Sequence, residues 1–360
     1  MIIYLIFIVA TITFLVIPFK NRGNESVIYP FSFLSYFILV IFSGFRYGIG
    51  TDYFSYEYVF FNIHTENKYN SGLEYGFYYL SKLLPQTQDG FYALIFLLSL
   101  ITNLVFYFAI KNQISNSINT NRTLVIILFF ITGFYFLPFN GVRQGVAIAF
   151  ILYSYSYIKK RKLFPFIICI LLASLFHKSA ILFTPIYFLY AFTIPNIVGL
   201  LLVISCFIIT KLNILSYISS FILSSLDDKY SRYIQSPPEF GGSGLGIYLY
   251  IILFLFTYTM SYFVTVSKSI NREFSFLFIV FSIGISLRIM ALENIIFVRP
   301  SYYFTVFDIF FIPIFISLFR RNKLIISTSI FIIYLTTFIA SIANSNGLLP
   351  YSNIIIENIF

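Results

Sequence analysis

Chemistry in this chain has to come from few side chains: 23 basic residues, 13 acidic residues and two histidines among 360 positions. One such run is Phe45-Arg46-Tyr47-Gly48-Ile49-Gly50-Thr51-Asp52-Tyr53. Glycines at 48 and 50 permit tight backbone geometry that returns Asp52 toward Arg46. As an ion pair facing a cavity, the two residues would hold an anionic head group and tune the carboxylate as a base. As a simple turn, the segment would leave Asp52 as the N-cap of the next helix.

Asn140-Gly141-Val142-Arg143-Gln144-Gly145 leads into an apolar run from Val146. Arg143 and Gln144 then lie in the first turn of a helix, where free N–H groups and the macrodipole favour a phosphate. A cation there is locally unfavourable unless an anion joins it, and a guanidinium fork grips two phosphate oxygens. The alternative is that Arg143 snorkels to lipid head groups. His177, followed by Lys178 and Ser179, titrates near neutrality and so can move protons; equally, it can be a hydrogen-bonded structural residue. Arg299-Pro300-Ser301-Tyr302-Tyr303 opens another helix with proline in a favoured first-turn position. Arg288 and Glu293 precede it, and Arg232 lies in the Asp227 to Tyr233 segment. Glu74, in Glu74-Tyr75-Gly76-Phe77, is either a further acid of the site or a surface-loop residue. The many tyrosines suit an interfacial belt, although their faces also stack on sugar rings. Adjacent Asp227 and Asp228 do not face one another on a helix. No HExxH or paired CxxC is present, so no metal and no cofactor is expected.

The elements that must position these groups follow from composition. Hydrophobic residues make up 59% and charged ones 10% of the chain, with a mean hydropathy of +0.90. A soluble domain carries about 25% charged residues, so this is an integral membrane protein. About twelve apolar runs approach the ~20 residues a span requires: 2–19, 27–45, 91–110, 123–139, 143–158, 163–176, 180–192, 195–210, 247–267, 274–292, 300–319 and 324–343. The expected fold is an all-α polytopic bundle of about 12 transmembrane helices, residues 1–360 forming a single membrane domain. The first run lacks a basic leader and a small-residue cleavage site and reads as a retained helix. Cys169 and Cys206 lie inside apolar runs and act as small hydrophobes.

Placing the loop with Lys20 and Arg22 in the cytoplasm fixes every later loop by alternation. The cytoplasmic loops then carry thirteen basic and two acidic residues, +11, and the rest carry ten basic and eleven acidic, −1. This asymmetry obeys the positive-inside rule and removes any need for a nucleic-acid partner. Two larger loops, approximately 46–90 and 211–246, fall outside, and function is expected on that face. The second contains Pro237-Pro238 and Gly241 to Gly244, which read as a hinge or lid.

In order along the chain, Phe45 to Tyr53, Glu74 to Phe77, Val142 to Ala147, Phe176 to Ala180, Pro185 to Tyr187, Arg299 to Tyr303 and Leu349 to Tyr351 resemble the EpsG family of Wzy-like polysaccharide polymerases. The resemblance implies a membrane glycosyltransferase that joins polyprenyl-diphosphate-linked oligosaccharide repeats for O-antigen, capsule or exopolysaccharide. It places the enzyme in the bacterial cytoplasmic membrane, with its active site on the outer face. Membrane lipids, a flippase and a chain-length regulator of the same pathway would be its partners. Family motifs map to Arg46, Gly48, Gly50, Asp52 and Tyr56, and then to Arg143, Gln144, His177 and Arg299. In the resulting expectation, Arg143 and Arg299, with Arg46, clamp the donor diphosphate, and Asp52 or His177 takes the proton of the attacking hydroxyl. Tyr56, Glu74, Gln144, Lys178, Arg232, Arg288 and Tyr303 join Arg46 in contacting substrate. A transporter or flippase of lipid-linked sugars would look alike in composition, but such proteins place substrate near the midplane and often show paired halves. A membrane acyltransferase using His177 is a third possibility.

Overall fold

The computed structural model describes residues 3–4, 7–9, 11, 36–63, 72–116, 121–214, 245–264, 268–319, 321–343 and 347–354. Most of the apolar run 2–19, residues 27–35 of the run 27–45, and residues 215–244 of the loop 211–246 with Arg232, Asp227 and Asp228 lie outside these residues. Among the described residues the regular structure is helical. Three helices are long and apolar enough to cross a bilayer, over Gln88–Ile114, Ile270–Met290 and Lys323–Ile342. A fourth arises if the bent pair Ile295–Thr305 and Asp308–Ser317 counts as one span. A count of twelve is therefore not established by these helices.

The helices are α1 (Tyr53–Phe61), α2 (Tyr75–Lys82), α3 (Gln88–Asn116), α4 (Arg122–Ile131), α5 (Leu137–Asn140), α6 (Val142–Lys159), α7 (Leu163–Phe176), α8 (Ile186–Leu189), α9 (Asn196–Lys211), α10 (Leu245–Ser261), α11 (Lys268–Met290), α12 (Val298–Thr305), α13 (Asp308–Ser317) and α14 (Lys323–Ala343). Three expected runs are corrected. The run 123–139 breaks into α4 and α5 because Thr132 and Gly133 turn the chain, Gly133 taking φ +83°. The run 180–192 is a 3-10 helix, Lys178–Phe183, followed by the single turn α8. Pro185 lies between them, where it lacks an N–H and clashes with a preceding carbonyl. The run 300–319 bends by 52° between α12 and α13.

Exposed faces identify the solvent. On α7, Phe166, Cys169, Ile170 and Ala173 are buried at helical spacing, whereas Ile168, Leu171, Leu172 and Leu175 are exposed. α9 repeats the pattern, with Val203 and Cys206 inside and Leu201, Ile204 and Ile208 outside. A helix whose exposed face is as apolar as its packed face is built for lipid. This is a membrane protein.

The chain divides into two compact units, residues 1–184 with 338–360, and residues 185–337. In the first, α6 packs against α3 and α7, and α2 rests on α7. Beneath α1 and α2 lies a core of Tyr53, Tyr56, Phe60, Phe77, Phe91, Leu94 and their neighbours. The C-terminal segment hooks onto the 45–50 junction, with Arg46 bridging Asn353 in antiparallel fashion and Gly50 N donating to Gly347 O at 2.8 Å. In the second unit, α11 is central and packs against α9, α10, α12 and α13.

The approach of α2 to α7 depends on Gly76. A methyl group built there would sit 2.8 Å from the Leu175 carbonyl oxygen, a backbone atom that cannot rotate away. Gly76→Ala should therefore push α2 off α7 and destabilise the fold by about 1–3 kcal/mol, as overpacking does. Thermal unfolding of the purified protein in detergent measures this as a lowered Tm.

Candidate functional site

Three sequence positions converge in the first unit. Glu74 is the N-cap of α2, yet its side chain does not cap the helix; it is 7% exposed and turned inward. Its Oε2 accepts a hydrogen bond from Arg143 Nη1. Its Oε1 lies 3.1 Å from His177 Nδ1. One carboxylate thus joins the start of α6 to the end of α7.

Each element delivers its group for a local reason. Gly141 caps α6, which places Arg143 and Gln144 in its first turn, where the sequence had them. α7 ends at Phe176; His177 adopts an extended conformation, φ −154° and ψ 109°, and the chain then tightens into the 3-10 helix. In this position the imidazole meets Glu74 at the start of α2. The Arg143 guanidinium also lies 5.6 Å from the centre of the Tyr56 ring and 5.5 Å from that of Phe77. Cation–π attraction to two aromatic faces holds it alongside the carboxylate. The Arg143 side chain keeps 24% of its surface exposed, while its Nε is buried without a hydrogen-bond partner.

Burial works against the charged form of Glu74, but the His177 hydrogen bond and the Arg143 charge outweigh it and bring its pKa down from 4.5 to about 2. The carboxyl is therefore an anion at any physiological pH, an orienting and charge-balancing group rather than a proton donor.

The other expected residues are placed differently. Arg46 is 2% exposed. It donates from Nη1 to Ser43 O and from Nη2 to Pro138 O at 3.5 Å, and lies 4.9 Å from the Phe139 ring centre. The expected pairing with Asp52 does not form. Asp52 takes the N-cap position of α1 without a side-chain capping bond, and its carboxylate accepts from Thr51 Oγ1 at 3.4 Å. Gly48 and Gly50 do adopt positive φ, +60° and +102°, but the turn they build sends Arg46 inward. The cavity beside Arg46 measures about 10 Å³, the scale of one water rather than of a diphosphate. Tyr56 is buried against Arg143, and Gln144 is buried beside it on α6. Lys178, next to His177, is exposed.

In the second unit, Arg299 is exposed on α12. Tyr303 is fully buried. Arg288 lies 4.1 Å from the Tyr250 ring centre and 5.6 Å from that of Tyr302. Sequence reasoning missed Asp308, buried at the start of α13 and bonded to Tyr334. Its signal was legible: a lone carboxylate in the apolar run from Phe304 to Phe319. Among the described residues, no group of three or more His, Cys, Asp or Glu could hold a metal ion.

Because its pKa is depressed in the fold, Glu74 contributes stability in full above its ordinary value of 4.5 and loses it as pH falls toward about 2. The Tm advantage of the native chain over Glu74→Gln should thus be constant near neutrality and shrink steadily between those two values. Tm measured against pH for both proteins tests this.

Against this geometry, the family model described as the EpsG family matches residues 29–353. No curated protein and no solved structure matches the chain.

Proposed function

The chain belongs to the EpsG family, which is a family of Wzy-like polysaccharide polymerases, and on that premise we propose that it polymerises polyprenyl-diphosphate-linked oligosaccharide repeats. The reaction takes place on the outer face of the bacterial cytoplasmic membrane, in the synthesis of O-antigen, capsule or exopolysaccharide. In this reading residues 1–360 form one membrane domain whose apolar runs make about twelve spans. The flippase and the chain-length regulator of the same pathway are its working partners.

The observation that carries the mechanism is Glu74 joining Arg143 to His177. A carboxylate accepting from Nδ1–H fixes the imidazole tautomer, so the basic lone pair sits on Nε2. His177 Nε2 takes the proton from the acceptor hydroxyl as its oxygen attacks C1 of the donor sugar. The C1–O bond to the diphosphate breaks, and the polyprenyl diphosphate departs with the bonding electrons. Arg143, held in place by Glu74 and by the rings of Tyr56 and Phe77, presents its exposed edge to the developing phosphate charge. Exposed Lys178 adds positive charge beside the imidazole. Because Glu74 neutralises part of Arg143, the diphosphate needs a further cation, a role for which the sequence expectation names Arg299. Buried Arg46 supports the scaffold in this account, and Asp52 is not its base.

Purified lipid-linked repeats incubated with reconstituted protein test the reading. The native protein should yield polymer, with or without a chelator. His177→Ala should lose about 10²- to 10⁴-fold in rate, the range of a general base, and Arg143→Ala and Arg299→Ala should leave single-repeat glycolipid. Transport of the repeat without new glycosidic bonds would overturn it.

A further inference from the structure

Arg46 carries a charge that its surroundings in the first unit do not balance. The residue is 2% exposed. Its Nη1 donates to Ser43 O and its Nη2 to Pro138 O, while Nε is buried without a partner. Both acceptors are neutral carbonyls, and the Phe139 ring that adds cation–π attraction is neutral as well. The titratable side chains that act on the guanidinium are Tyr53, Tyr56, Tyr135 and Tyr351, all uncharged at neutral pH. Among the described residues, then, no carboxylate pairs with Arg46. A charge withdrawn from water is strongly unfavourable unless an opposite charge joins it.

The cavity of about 10 Å³ lies beside this guanidinium and is partly open. Ser43, Arg46, Ser99, Asn103 and Val142 are among its lining residues, and no acidic side chain lines it. Asn103 Nδ2 donates to Ser43 Oγ at 3.0 Å and to Ser99 O at 2.9 Å. The hydroxyls of Ser43 and Ser99 share a hydrogen bond in which either donates, so the Ser99 O–H is free to turn to a guest when Ser43 supplies the shared hydrogen. Val142 is the first residue of α6, and the free N–H groups and macrodipole make that end of the helix positive. A buried cation, hydroxyl and amide donors and the positive end of an 18-residue helix thus surround one small space. A water there would give Nε an acceptor but leave the charge. A halide ion of about the same size supplies both the acceptor and the counter-charge, whereas sulfate, phosphate and organic carboxylates exceed a volume of this scale.

We propose that this cavity is a halide site, which holds one chloride ion between Arg46, Ser99 and the start of α6. The ion completes the scaffold behind that helix. Arg46 already ties the stretch 36–44 to Pro138, and Pro138 packs closely against Gly145 of α6. Chloride is here a structural ligand, distinct from the Glu74 trio and independent of the polymerisation chemistry.

Thermal unfolding of the full-length protein in detergent tests the site, with sodium chloride exchanged for sodium gluconate at equal ionic strength so that general screening is the same. The native Tm should rise saturably, by about 2 °C or more, as chloride replaces gluconate up to about 100 mM. Bromide should replace chloride, and sulfate should not. Asn103→Asp sets a fixed carboxylate in the wall as counter-charge and should abolish the response. Ser99→Ala removes one donor to the anion and should raise the half-saturating chloride concentration about tenfold; as a mild change, it keeps the test open if Asn103→Asp does not fold. A native Tm equal in chloride and gluconate would overturn the proposal and leave the cavity to water. So would a chloride response that persists unchanged in Ser99→Ala and in folded Asn103→Asp, because the ion would then act elsewhere. Polymer formation plays no part in this readout, so its failure leaves the polymerase reading where it stands.

Discussion

A carboxylate withdrawn from water between a guanidinium and an imidazole is the interaction on which the first unit depends. Glu74 is too buried to be stable as an anion on its own, and Arg143 and His177 are what keep it charged. The dependence is mutual. Without Glu74, the cation in the first turn of α6 would face the positive end of that helix with no counter-charge. Charge-assisted hydrogen bonds of this kind contribute about 1.5–3 kcal/mol each, enough to fix three elements in one geometry. The same carboxylate, through its second oxygen, also fixes the orientation of the imidazole.

Much of the surrounding structure exists to keep that contact dry and in register. Gly76 lets α2 lie directly on the backbone of α7, and the rings of Phe77 and Tyr56 close over the guanidinium. Arg46, in the first polar loop, is turned inward and bound to backbone. By donating to the carbonyls of Ser43 and Pro138, it ties the end of the helical stretch 36–44 to the segment before α6. The C-terminal hook over residues 347–354 then packs against the same junction. A buried arginine bound to backbone oxygens holds those segments together, and the cavity beside it has the scale of one water.

What could be read from the sequence was what local pattern decides. Hydropathy and sparse charge identified a helical membrane protein. Gly141 followed by Arg143 and Gln144 marked the start of α6, and the break at His177 was visible as a polar interruption between two apolar runs. Failures came where a single backbone position overrides composition. Gly133 and Pro185 each divide a run that hydropathy reads as continuous. The partnership of Glu74 could not be read at all, because its partners lie 69 and 103 residues away and no spacing rule links them. Asp308 is the opposite case. Its isolation among phenylalanines and isoleucines was a usable signal, but attention to the polar loops passed over it.

The most direct test of the Glu74 trio uses the scarcity of histidine, since the chain has only two. With ¹⁵N-labelled histidine and the His64 signal removed by His64→Gln, the imidazole nitrogens of His177 report which of them carries the proton. The account predicts a protonated, hydrogen-bonded Nδ1 and a basic Nε2 in the native protein, and loss of that fixed tautomer in Glu74→Gln. Identical imidazole spectra in the two proteins would contradict it.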